Sequence, residues 1–485
     1  MARGLLLITK VVWWGGTLFT ALVGYSALEV LLNPGSGMWR GIPYKPGLGD
    51  LAIVGLLAAL GLAGLLVVVV VALRGRAAIA LGIGFAVLVA TRVAAIAIIP
   101  TPLNTDWGDY QLQAIQLAAT GVYDSPRPPG FPIALSVLYR IGGPNPLFGE
   151  LLNLACAVVV GILIVVLGKR WLGDVAAAVG LYAWAISPGP VLFTAVLASE
   201  NLYTPFFIGA LVLASLAVKG RFALWAGAAA LLGLSQYVRP ASLVLVPALV
   251  LFVLLTGLPR RRAALAILVL TFTFLVVLSP GIVWQYQRFG WLTLSTSNYD
   301  GLNLLVGLNL KSDGQYNRGD LALAGSATNS REFHDRTYRL AIQRLLSEKS
   351  AIPALAIRKI PILWGDSTYG AKWAINANPV HDLRAGTIMA VLSQLAYAAA
   401  TLAAAAFLFV RRRERDMVSL LFICCLGAVA ASEVFLEVQS RYHAPLEPLF
   451  YLLAGGFVAW LAGARGTQVQ TASSLTASAS SNLPS

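Results

Sequence analysis

Charge is what this 485-residue chain has least of: Asp, Glu, Lys and Arg make up 12% of it, against 58% hydrophobic residues and a mean hydropathy of +0.76. That composition excludes an ordinary soluble globular protein and reads as a multispanning membrane protein. Cysteine is equally scarce. Cys156, Cys424 and Cys425 all fall inside apolar runs, where a thiol packs like a small hydrophobe, so neither a disulfide framework nor a cysteine metal cluster is expected. No glycine-rich loop of the phosphate-cradling kind occurs, which argues against a donor from the cytosolic nucleotide pool. An internal repeat of the two-half transporter kind is also missing.

What the chain does have is twelve apolar runs, near 11–31, 50–73, 77–99, 146–168, 175–197, 202–218, 222–238, 241–258, 263–284, 385–410, 417–437 and 446–463. Each approaches the ~20 residues that a bilayer requires. Arg3 and Lys10 before the first run would suit a signal peptide, but the run is long and has no small-x-small cleavage pattern before Asn33-Pro34. It reads as a retained span. With the N-terminus in the cytoplasm, the inside segments hold 16 of the 35 Lys and Arg residues but only 3 of the 21 acids, Asp174, Glu414 and Asp416. The net charge of +14 is then an inside-facing excess, which needs no nucleic-acid partner to explain it. Residues 1–463 read as one membrane domain with both termini cytoplasmic, and 464–485, rich in Ser, Thr and Ala, as a disordered cytoplasmic tail. The inside loops are short, whereas the outer face carries the loops 101–145 and 286–384, so the chemistry is expected there. Within them Trp107–Thr120 and Arg331–Ser347 have amphipathic spacing and read as interfacial helices; Ile133–Tyr139 reads as another short helix, and Ile352–Trp364 as a segment too short to span.

Carboxylates at the end of a span are costly to keep without a role. Asp106 and Asp109, three residues apart, would share a helix face and could act on one hydroxyl or hold one divalent cation; the same spacing also fits a capping-box helix start. Arg127, stiffened by Pro126, Pro128 and Pro129, suits a phosphate, or a lipid headgroup reached by snorkelling. Glu200 is either a further acid in the same cavity or a solvated turn. Arg239 and the Arg441-Tyr442-His443 cluster are cations at outer span ends, able to take an anionic group or to anchor the interface. His334 and His381 lack metal-ligand spacing and read as surface histidines.

The order of these motifs resembles the bacterial GT-C glycosyltransferases, relatives of the protein O-mannosyltransferases and of the aminoarabinose transferases. The resemblance rests on Asp106 with Tyr110, Arg127-Pro128-Pro129-Gly130-Phe131-Pro132, Ser199-Glu200, Arg239-Pro240, the loop Ser295 to Tyr316, and Arg441 to Pro448. It implies an all-α polytopic fold of about 12 transmembrane helices with extracytoplasmic interfacial helices, in a bacterial plasma membrane. It also implies inverting transfer of a hexose or pentose from a polyprenyl-phosphate donor to a hydroxyl acceptor of the cell envelope. Asp106 would then serve as or support the base, with Asp109 standing in for the acid that the family often carries where this chain has Trp107. Arg127, Arg239 and Arg441 would face the donor phosphate, with Glu200, Tyr110 and His443 in the substrate cavity. It names no cofactor, and a divalent cation at Asp106 and Asp109 stays open. The competing reading is a transporter or flippase of lipid-linked sugars or solutes.

Overall fold

The computed structural model describes residues 2–464 apart from 34, 41–43, 326, 327, 329, 348, 379–381 and 415. The predicted tail and His381 lie outside the described residues. Among those described, regular structure is wholly helical. Eight helices are long and apolar enough to cross a membrane: Leu5–Leu32, Leu48–Leu73, Ala77–Ile98, Leu147–Trp171, Ser199–Ala217, Arg260–Phe289, Leu383–Val410 and Ser440–Leu461. The other four predicted runs are shorter helices. Asp174–Ile186 stops before Pro188, and Pro240 divides the Phe222–Val238 helix from Pro240–Leu255; Met417–Glu433 ends at an acid. One close helix packing depends on missing side chains. A Cβ at Gly455 would strike the backbone of Ala176 and Gly180, so these glycines let Glu447–Leu461 lie directly on Asp174–Ile186.

The outer segments are built as the sequence predicts, with two differences. Thr105–Thr120 buries Trp107, Tyr110 and Ala114 on one face and ends at Gly121, whose φ of 73° supplies the left-handed cap. Arg331–Ser347 packs Phe333 and Ala341 against the helices Asp300–Gly307 and Arg318–Ala324, giving the long loop small cores of its own. The first difference is Ile352–Trp364, which does not stay at the surface. After the helix Ile352–Ile360 the chain dives into the bundle, burying Leu363, Trp364 and Gly365 against the first span. The second is His334, which stacks on Trp291 at 4.1 Å between centroids and pairs with Asp335 at 3.2 Å instead of standing free in solvent.

Candidate active site

Six charged side chains from five separated segments alternate in sign along one continuous path. Asp109 meets Arg127 at 2.9 Å, and the same Nη2 reaches Asp106 at 2.9 Å. The other oxygen of Asp106 accepts a 2.6 Å hydrogen bond from Arg441 Nη2; Arg441 Nε lies 3.4 Å from Glu200, which meets Arg239 Nη1 at 2.7 Å. The path runs inward, from the half-exposed Asp109 through Asp106, 25% exposed, to Glu200 at 2%. Three cations balance three anions, so the buried end keeps no uncompensated charge, the condition under which buried ion pairs persist. The predicted residues Asp106, Asp109, Arg127, Glu200, Arg239 and Arg441 are thus brought together by the fold.

Each member is held by its own segment. The helix carrying both aspartates starts after Asn104, whose side chain makes no cap and instead donates to Ala377 O. Thr105 adopts φ 52°, a costly conformation for a β-branched residue, just before Asp106. The capping-box alternative therefore does not describe this helix. Asp106 turns to two guanidiniums, which offer stronger charge-assisted bonds than backbone N–H groups would. Arg127 is fixed by its turn: Tyr123 donates to Arg127 O at 2.8 Å, and Asn298 N donates to Pro126 O at 2.7 Å. Its guanidinium lies over the rings of Tyr110 and Tyr299 at 5.6 and 5.5 Å, so it is built into the protein and is no snorkelling anchor.

Trp107, where the resemblance implies a second acid, has a different job here. Its fully buried ring packs edge-on against Phe193 and Trp373 and carries the Arg441 guanidinium at 4.6 Å. Tyr110 joins the site, its hydroxyl 3.3 Å from Ser199 Oγ. His443 does not. It is wholly buried beneath the site, with Nδ1 2.5 Å from Leu363 O and Nε2 3.1 Å from Glu447, so it ties helices together. Its place next to Arg441 in sequence hid this, because a tight helical turn points neighbouring side chains in different directions.

Burial works to raise the Asp106 carboxyl, but Arg441 and Arg127 outweigh it and hold the group at about 2. Burial likewise opposes the charge on Arg127, and the Asp106 charge beside it keeps its proton more firmly bound than usual. Arg127 also lies between the two aspartates, where a divalent ion bridging them would have to sit, so the pair as built does not fit a cation. Among the described residues no three His, Cys, Asp or Glu side chains gather as a metal site.

Beside the charged path lies a cavity of about 280 Å³. Its lining includes the polar residues Arg239, Tyr442, Gln236 and Asp300 and the apolar residues Phe207, Leu245 and Leu446. Asp300 was not singled out by the sequence, since it belongs to no spaced pair of acids. Burial pushes its carboxyl up to about 7, against a hydrogen bond with Ser295 that works the other way.

Residues 126–284 match the family model described as dolichyl-phosphate-mannose-protein mannosyltransferase. No curated protein matches the chain. Among solved structures, the chain is similar to ArnT from Cupriavidus metallidurans bound to undecaprenyl phosphate, with 15% identity over 80% of this chain and 78% of that one and a TM-score of 0.35. It is similar to the apo form of that protein at 14% identity, with the same coverage and TM-score. The segment matching the family model carries Arg127, Glu200 and Arg239, three of the six members of the charged path.

Proposed function

We propose that the chain transfers a sugar from a polyprenyl-phosphate donor to a hydroxyl acceptor at the outer face of the membrane, with inversion at the anomeric carbon. The observation that carries this reading is the convergence of Arg127, Arg239 and Arg441 on shared carboxylates, next to a cavity lined by both polar and apolar side chains. A lipid phosphate needs its charge met by fixed cations, and its polyprenyl chain needs an apolar path. The same layout serves an extracytoplasmic site with both termini in the cytoplasm, in accord with the distribution of Lys and Arg.

In the resting site Asp106 occupies guanidinium donors that suit a phosphate. When the donor phosphate engages Arg127, Asp106 loses part of its pairing and becomes a better base. The acceptor oxygen then attacks the anomeric carbon as its proton passes to Asp106, and the bond from that carbon to the phosphate oxygen breaks. The leaving lipid phosphate keeps the electron pair, stabilised by the arginines, and Asp106 returns the proton to solvent. No step passes through a metal ion.

The test is to incubate purified protein with radiolabelled polyprenyl-phosphate sugars and extracted envelope acceptors. Transfer of label with release of lipid phosphate, lost in Asp106→Asn, is expected. Movement of intact donor across a vesicle membrane with no release would overturn the reading in favour of a transporter.

A further inference from the structure

Arg92 lies on the helix Ala77–Ile98, away from the charged path, and is 0% exposed. Among the described residues its hydrogen bonds are all long, from Nη1 to Ala185 O at 3.2 Å, to Leu88 O at 3.4 Å and to the Thr91 hydroxyl at 3.5 Å. Nε and Nη2 have no partner, and no carboxylate pairs with the guanidinium among the described residues. Its guanidinium lies 4.5 Å over the ring of Trp184, whose own buried Nε1–H also lacks a partner. Both side chains line a cavity of about 40 Å³, shared with Thr194, Asn201 and Tyr369.

Three donor nitrogens without partners on residues lining one cavity call for an acceptor. Water could satisfy the donors, but it cannot balance a cation held in the apolar interior of a membrane bundle. Glu200 also lines the cavity, yet its charge is already shared between Arg239 and Arg441. The uncompensated charge at the cavity is therefore positive. One water needs roughly 10–15 Å³ by this measure, so a halide-sized ion fits, with little to spare for a tetrahedral oxyanion.

We propose that the cavity formed by Arg92 and Trp184 binds a small monovalent inorganic anion of chloride's size, which neutralises the buried arginine and joins the helix Ala77–Ile98 to the turn that precedes Glu200. This site does not depend on the proposed transferase reaction.

The experiment is thermal unfolding of the purified full chain in chloride against gluconate at matched ionic strength. Chloride should raise Tm saturably by several degrees, since a ligand that binds only the folded state stabilises it by mass action. Trp184→Phe, which keeps the ring and removes one donor, should weaken the apparent chloride affinity several-fold, and Arg92→Met should abolish the chloride response. Should Arg92→Met fail to fold, the wild-type protein in bromide serves instead, with an anomalous peak expected beside Arg92. A Tm indifferent to chloride, or a cavity holding water alone in bromide, would overturn the proposal.

Discussion

Replacing Asp106 by Asn tests the charged path at its centre. The carboxylate accepts from Arg441 at 2.6 Å and pairs with Arg127 at 2.9 Å, and these cations hold it at about 2 in place of the ordinary 3.8. At about 1.4 kcal/mol per pH unit, with allowance for its being a quarter exposed, that pairing contributes about 2 kcal/mol to folding. Because the folded value is depressed, the contribution is complete above pH 4 and is lost as pH falls through 2. Asp106→Asn should therefore cost about 2 kcal/mol in a reversible unfolding titration at pH 7. It should also lower kcat by roughly 10² to 10⁴, the usual worth of a positioned base. A pH profile goes further. The acid limb of kcat/KM reports the free enzyme, in which both arginines hold Asp106; that of kcat reports the donor complex, in which the phosphate has taken Arg127. The limb of kcat should lie at higher pH than that of kcat/KM. Coincident limbs, or normal turnover by the Asn variant, would refute the displacement of Asp106 by donor phosphate.

Arg441→Lys keeps the charge but loses the planar fork that spans Asp106 and Glu200, so kcat should fall at least tenfold with the fold retained, as read by label transfer and far-UV circular dichroism. Lys359 sends its ammonium to Glu433 O, Val434 O and Leu436 O at 3.0, 3.0 and 2.7 Å, and burial, outweighing nearby Glu433, pushes its amine down to about 8. The unfolded chain then binds more protons between pH 8 and 10.5, so stability should rise across that window, and Lys359→Met should remove the rise in unfolding measured against pH. A Cβ at Gly307 would collide with the backbone of Leu436, so Gly307→Ala should displace the segment leading to Arg441 and raise the donor KM, measured by steady-state transfer.

The apolar runs, the loop lengths and the Lys and Arg bias were legible because a bilayer imposes length and charge rules that act locally along the chain. The helix Thr105–Thr120 was legible for a similar reason, its buried positions 107, 110 and 114 recurring at helical spacing and its end marked by Gly121. Asp106, Asp109 and Arg127 stood out as charges in an apolar chain, and their motifs carried the resemblance to a family. The sequence could not say which partner each charge takes, because Asp106 and Arg441 are 335 residues apart and meet only through packing. Spacing left a helix cap and a functional role for Asp106 both open, and tertiary structure supplied two arginines that bind it more strongly. Adjacency put His443 beside Arg441, and the helical turn sent it into the core. Local rules thus determined the spans and the kind of site, while the pairing of its charges and the burial of Arg92 beside Trp184 were decided by contacts that exist only once the helices are packed.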